Sequence, residues 1–133
     1  HIWAFWDFLP TACELAGVAA PAAIDGISIV PALAKYGVPN PAGIQQELHE
    51  FLYWEFHEQG TRQAVRTGNW KAVRMRLGAP LELYDIVTDP GESHDVAANH
   101  PEVIAKIEVY LKDARTPHEN WPLKARPAGA TDR

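Results

Sequence analysis

Apolar residues near the start of the chain recur at helical spacing. Asp7 stands where a helix N-cap would, Pro10 falls in the first turn, and Gly17 follows the last apolar position. Proline costs little in a first turn, and glycine is favoured just past a helix end. The pattern predicts a short helix over 7–16, with one face formed by Leu9, Ala12, Cys13 and Ala16.

Residues 18–43 carry little charge and are rich in proline. Prolines at this density exclude a long helix, and Asp25-Gly26 is typical of a turn. We expect a loop that crosses a surface, with one short helical turn over 30–34. The prolines are Pro21, Pro31, Pro39 and Pro41.

Beyond residue 50 the pattern changes to short runs of strand-forming residues separated by turns. Gly60 and Gly68 lie in the first two connections, and Gly78-Ala79-Pro80 interrupts the pattern again. Strands that follow one another through short links pair antiparallel. The sequence therefore predicts a meander of four strands, over 51–56, 62–66, 70–76 and 81–86.

The last predicted element is a long helix that begins at Pro101, with Asn99 or His100 as its cap. Its apolar residues form one stripe, as expected for a helix that lies on a sheet. The stripe consists of Val103, Ile104, Ile107, Tyr110 and Leu111.

These elements predict an α+β fold, a four-stranded antiparallel sheet packed against a long C-terminal helix. The N-terminal helix and the Pro-rich loop would then lie at the edge of a domain missing from the chain. The chain opens without Met, directly into aromatic sequence, so we expect a cut through a longer protein, although a processed N-terminus would give the same pattern. The aromatic face, with Trp3, Phe5, Trp6 and Phe8, would meet a partner domain or form a homodimer.

Composition excludes two classes of partner. Hydrophobic residues make up 47% and charged residues 22%, with a net charge of −5, and the basic residues form no patch. Nucleic acid binding requires clustered Lys and Arg, so we expect no nucleic acid partner. No run approaches the roughly 20 apolar residues of a membrane span.

A search for catalytic motifs identifies no nucleophile and no metal site. The sequence has neither a Gly-rich phosphate loop nor Cys/His spacing suited to zinc. Cys13, the single cysteine, falls on the apolar helix face and is better interpreted as a buried thiol. The acidic run 85–95 does not match a calcium loop, and Asp89-Pro90 is better explained as a strand-to-helix connection.

His57 and Arg62 are the candidate binding residues. They flank the turn HEQGTR of a predicted hairpin, and loops on rigid scaffolds often carry binding groups. The planar guanidinium of arginine suits sulfate or carboxylate. On spacing alone, a solvated hairpin tip explains this turn better than a binding site does.

Four stretches in order resemble the C-terminal part of the sulfatase family. They are WDFLPTACELAGV, IDGISIVPAL, LYWEFHEQGTRQAVRTGNWKAVR and LELYDIVTDPGESHDVAANHPEVIAKIEVYLKDART. The resemblance implies that 1–48 are the tail end of the sulfatase α/β domain and 49–123 the C-terminal subdomain. A disordered tail over 124–133 is expected to follow.

The resemblance also implies cofactors that this chain does not itself hold. Sulfatases hydrolyse sulfate esters with a formylglycine, made in a Cys/Ser-x-Pro-x-Arg motif, and with a calcium ion. Cys13 is followed by Glu-Leu-Ala, so the motif is absent here, and the acidic calcium-binding motifs also have no match. We expect the chain alone to be catalytically incomplete, with His57 and Arg62 contacting substrate.

Two alternatives to a sulfatase fragment remain open at this stage. The chain could be a free-standing binding module derived from the same subdomain. It could also come from a related phosphodiesterase or phosphonate hydrolase of the alkaline phosphatase superfamily. The compartment stays undetermined, with export or a periplasmic location compatible with the resemblance.

Overall fold

A computed structural model describes residues 1–125, and the chain divides between Glu50 and Phe51 into two units. The predicted tail lies outside the described residues from 126 onward. Lys124 is described, and its backbone N–H and C=O both bond to Thr61. Each unit has its own set of elements.

The N-terminal unit contains the two predicted helical segments. A 3-10 turn, Phe5–Asp7, leads into α1, Phe8–Leu15, and α2 spans Val30–Leu33 before a second 3-10 turn, Ala34–Tyr36. Gly17 follows the C-cap of α1 with φ of 70°, the left-handed conformation that glycine adopts without steric cost. The predictions of a short first helix and of a helical turn near residue 30 are confirmed.

Asp7 is the N-cap residue of α1, but its side chain does not cap the helix as the sequence suggested. Its buried carboxylate instead accepts hydrogen bonds from the amides of Ala4 and Ile27, each at 2.8 Å. His49 Nε2 lies 2.8 Å from the same carboxylate. A buried charge must be paired and hydrogen-bonded, and these three donors meet that need; the Ala4 amide among them is the N-cap amide of the 3-10 turn.

The loop before α2 is also fastened to α1. The Thr11 hydroxyl donates to the Asp7 carbonyl at 2.6 Å and accepts from the Ile29 amide at 3.0 Å. A Cβ at Gly26 would lie 2.2 Å from the Trp6 carbonyl oxygen, so only glycine allows this approach. The bond from the Ile29 amide to the Thr11 hydroxyl and the close approach of Gly26 to Trp6 thus hold the Pro-rich loop in place, although the loop contains little regular structure.

The second unit contains the predicted meander. Its strands are β1, Leu52–Phe56; β2, Arg62–Thr67; β3, Trp70–Arg74; and β4, Glu82–Asp85. They form one antiparallel sheet in the order β1-β2-β3-β4. β3 ends two residues earlier than predicted, because a turn at Arg76–Ala79 with Gly78 at φ of 78° redirects the chain.

The final helix, α3, spans Pro101–Asp113 and lies on one face of this sheet. His100 occupies the N-cap position without a side-chain cap bond. The core joins one helix stripe to alternate strand residues: Val65, Ala72, Leu81, Leu83, Ile107, Tyr110 and Leu111. The predicted α+β fold is confirmed, and no helix in the described part of the chain is long and apolar enough to cross a membrane.

Replacing Ile107 should test this core. Ile107 is 0% exposed, so Ile107→Ala leaves a cavity and is expected to lower the free energy of unfolding by about 2–5 kcal/mol. Val109→Ala is the matched control, because Val109 lies on the same helix but is 54% exposed, and its effect should stay within about 0.5 kcal/mol. Urea unfolding measures both, and equal losses would contradict this account of the core.

Candidate functional site

The turn after β1 presents His57 in a fixed position. Gln59 and Gly60 both adopt positive φ, 57° and 106°, which reverses the chain within a few residues. Thr61, at the end of the turn, is buried. Two backbone residues in the left-handed region make the turn tight, and glycine supplies the more extreme angle without steric cost.

The imidazole of His57 bonds at both nitrogens. Nε2 lies 3.0 Å from a Glu55 carboxylate oxygen, so Nε2 carries the proton and donates it. Nδ1 then accepts from the Thr61 hydroxyl over a long 3.5 Å contact. The Thr61 oxygen itself accepts from the Lys124 amide at 2.9 Å, which leaves the hydroxyl proton for His57. For the neutral imidazole these partners favour the tautomer with the proton on Nε2, and they hold the ring in one orientation.

Glu55 anchors this arrangement. Arg115 Nε donates to its other oxygen at 2.8 Å, and the Tyr53 hydroxyl donates to the same oxygen. Burial, together with the bond to Glu55, raises the pKa of Tyr53 well above its usual value, so Tyr53 remains a donor. Charge-assisted bonds of this kind are stronger than neutral ones and hold the carboxylate still for His57.

The network continues away from His57 across the helix-covered face of the sheet. Gln63 Nε2 donates to the Tyr53 hydroxyl at 2.9 Å, and Gln63 Oε1 accepts from Arg74 at 3.2 Å. Arg74 also pairs with Glu108 of α3. Within residues 1–125, no buried side-chain nitrogen or oxygen lacks a hydrogen-bond partner. A fully satisfied network of this kind stiffens the surface that it supports.

An open cleft of about 450 Å³ lies beside His57. One wall comes from the end of β1 and its turn, and the other from the segment that follows α3. Its volume is in the range of small-molecule sites, about 300–1,000 Å³. We call it the His57 cleft; its lining includes Phe56, His57, Glu58, Asn120, Trp121 and Lys124.

Arg62, the second predicted site residue, is not brought into this cleft. It begins β2, and its guanidinium lies 5.9 Å from the centre of the Phe56 ring. Adjacent strand residues point to opposite faces, so Arg62 lies opposite Gln63 and the network described above. The arginine that serves His57 is Arg115, and a substrate contact by Arg62 stays a prediction.

The acidic run uses its carboxylates on its own backbone. Asp89 accepts from the amides of Ser93 and His94 at 2.7 and 2.9 Å, and these bonds lower the pKa of Asp89. Asp95 accepts from the amides of Leu83 and Ala97, each at 2.9 Å. These contacts shape the connection between β4 and α3.

Sequence reasoning missed most of the partners of His57. Glu55 was detectable, because it lies on β1 two residues before His57, and the two-residue alternation of a strand places such neighbours on one face. Arg115, Trp121 and Lys124 were not, because they come from the irregular chain after α3, some sixty residues away. Only the placement of α3 on the sheet brings that segment back to β1.

The sequence matches the family model described as N-sulphoglucosamine sulphohydrolase, C-terminal, over residues 3–117. The Δ4,5-hexuronate-2-O-sulfatase of Bacteroides thetaiotaomicron is 32% identical over 114 residues, which cover 80% of this chain and 22% of that protein. Arylsulfatase K of Mus musculus is 27% identical over 111 residues, 80% of this chain and 20% of that protein. The chain thus spans about a fifth of the length of these relatives.

Solved structures agree with the sequence matches. A 2-O GAG sulfatase superposes with a TM-score of 0.67 at 32% identity, over 81% of this chain and 23% of that one. Ps i-CgsB in complex with k-i-k-neocarrahexaose gives a TM-score of 0.62 at 26% identity, over 89% of this chain and 26% of that one. The chain therefore belongs to the sulfatases, in the family described by the C-terminal region of N-sulphoglucosamine sulphohydrolase.

Proposed function

We propose that this chain is the C-terminal subdomain of an enzyme that hydrolyses sulfate esters, and that it forms one wall of the substrate pocket. The family match over residues 3–117 carries the proposal. The reaction transfers the sulfate group from an alcohol to water, and it needs a nucleophile and positive charge around the anionic oxygens. The chain contributes to recognition of the alcohol, not to that chemistry.

The residues of this chain do not fit either expected cofactor. Cys13 is followed by Glu14 and Leu15, so it lacks the motif from which formylglycine is made. Within residues 1–125, no three His, Cys, Asp or Glu side chains come close enough together to hold a metal ion. The proposal therefore assigns the formylglycine and the calcium ligands to residues outside this part of the enzyme.

The alcohol is, on this proposal, a sugar. The relative from Bacteroides thetaiotaomicron is named for a hexuronate, and Ps i-CgsB is bound to a neocarrahexaose. Sugars present many hydroxyl groups, and His57 Nδ1 is engaged only by the long contact with Thr61. A substrate hydroxyl that donates to Nδ1 would replace this contact without disturbing Glu55.

A second surface supports contact with the rest of the enzyme. Phe5 is 87% exposed, and Trp3, Phe8 and Leu9 are exposed beside it in sequence. Several large apolar side chains exposed together indicate an interaction surface. We propose that this surface meets the α/β domain of the sulfatase, and that in the isolated chain it joins two copies.

The isolated chain should not hydrolyse sulfate esters. With 4-nitrophenyl sulfate and added calcium, release of 4-nitrophenol should equal the rate without protein, because no nucleophile is present. The protein expressed from the same gene with all upstream coding sequence is the positive control, and it should be active. Calcium-dependent turnover by the pure 133-residue chain would overturn the assignment of the chemistry to other residues.

In that longer protein, His57→Ala should lower kcat/KM for a sulfated sugar by about 2- to 10-fold, the value of one hydrogen bond. His94→Ala is the matched control, because His94 also pairs with a carboxylate but does not line the His57 cleft. Circular dichroism should show both variants folded. Equal kinetics for His57→Ala and the parent would contradict the proposed substrate contact, and the turn would then be a solvated hairpin tip.

Self-association of the isolated chain should depend on its aromatic surface. Sedimentation velocity over a range of concentrations should show a dimer that weakens in Phe5→Ser. Val87→Ser, another exposed apolar residue, serves as control and should leave the dimer intact. A parent chain that sediments as a monomer at every concentration would rule out the homodimer.

A further inference from the structure

Trp121 is held at the rim of the His57 cleft by contacts of its backbone. Residues 115–124, here called the return segment, leave the end of α3 and run back to β1. Arg115 bonds to the Trp121 carbonyl while it pairs with Glu55, and Lys124 forms two backbone bonds to Thr61, at 2.8 and 2.9 Å. The return segment is therefore fixed at both ends of the cleft.

The tip of the return segment is a turn. The Trp121 amide donates to the His118 carbonyl at 3.1 Å, and the Asn120 amide donates to the His118 ring at 3.1 Å. These bonds occupy the backbone and leave the Asn120 and Trp121 side chains to line the cleft. The turn thus presents an amide and an indole side by side.

The indole of Trp121 is not used for packing the core. It is 60% exposed, and its ring centre lies 5.5 Å from that of His57, with the two planes at 49°. A single exposed aromatic residue is ordinary on a protein surface. This one differs because its backbone is tied to Arg115, which also orients His57 through Glu55.

The Trp121 indole is a flat apolar surface, and polar side chains lie beside its edge. Its polar neighbours are Asn120, Glu58 and His57, which supply an amide, a carboxylate and an imidazole. A pyranose ring has the complementary form, with C–H groups on its face and hydroxyls around its rim. Sites of this kind bind through an apolar wall and gain orientation from a few polar groups.

We propose that Trp121 is a stacking platform for a pyranose ring, and that Asn120 and Glu58 bind the hydroxyls of that ring. The proposal rests on the proposed function and extends it to a residue beyond the family match, which ends at 117. Recognition here is of the sugar rather than of its sulfate, because the platform itself carries no charge. Trp121 is thus a specificity-determining residue, and His57 holds the adjacent hydroxyl.

The test measures binding alone, so that it does not depend on catalysis. The ¹⁵N-labelled 133-residue chain is titrated with an unsulfated disaccharide of hexuronate and glucosamine, and the tryptophan indole N–H signals are followed by NMR. The Trp121 signal, identified by its loss in Trp121→Ala, should shift in a saturable manner. Because both variants lack the Trp121 indole, their affinities are taken from the backbone amide signals of Glu58 and Asn120, which line the same cleft. Trp121→Ala should weaken binding at least 5-fold, and Trp121→Phe should retain most of it.

Trp54→Ala is the matched control, because Trp54 is an exposed tryptophan of the same unit that does not line the His57 cleft, and it should leave the affinity unchanged. Unchanged affinity in Trp121→Ala would overturn the proposal. A shift produced equally by inorganic sulfate, and lost in Lys124→Gln, would also overturn it in favour of an anion site.

The two proposals fail separately. If the longer protein hydrolyses sulfate esters while the disaccharide leaves the Trp121 signal unmoved, the platform is wrong and the proposed function stands. If the disaccharide binds at Trp121 but the longer protein has no sulfatase activity, the platform stands as a carbohydrate-binding site and the proposed function is wrong.

Discussion

The packing of α3 on one face of the sheet is the contact on which the second unit depends. Ile107 is fully buried among strand residues, and this contact fixes the position and orientation of α3 on the sheet. That orientation carries Arg115, two residues beyond the end of α3, to within 2.8 Å of Glu55. Hydrophobic burial has no directional preference of its own. In this unit, however, it places the Arg115 guanidinium beside the Glu55 carboxylate, and Glu55 then orients His57.

The elements of this unit were predictable because their signals are local. Strand composition, glycine turns and a stripe at helical spacing each depend on a few neighbouring residues, and together they gave the meander and α3. The pairing of Glu55 with His57 also had a local signal, because the two residues are two apart at the end of β1. The pairing of Glu55 with Arg115 had none, because it exists only after α3 is seated. The sequence therefore indicated the turn that carries His57, and it gave no sign of the segment after α3 that forms the other wall of the His57 cleft.

Asp7 shows the same limit in the first unit. A carboxylate just before a helix is normally a cap, and the position was correct. The expected role, a side-chain cap of α1, was wrong, because the Asp7 side chain is almost fully buried. Burial removes water as a partner, so the carboxylate takes its donors from Ala4, Ile27 and His49, at short and long separations in sequence. Burial depends on the whole fold, and here it decided whether the Asp7 carboxylate caps a helix or accepts bonds in the interior.

The polar groups of the His57 cleft are suited to recognition, and their bonding explains why. A general base must direct a free lone pair at the proton that it removes. In Glu55, one carboxylate oxygen accepts from Arg115 and Tyr53 and the other accepts from His57, so Glu55 holds these side chains in place. The cleft presents to a ligand one edge of the imidazole, the ring of Trp121 and the side chains of Asn120 and Glu58. Such a wall can hold and select a molecule while residues elsewhere carry out the reaction, and it can change in sequence without disturbing them.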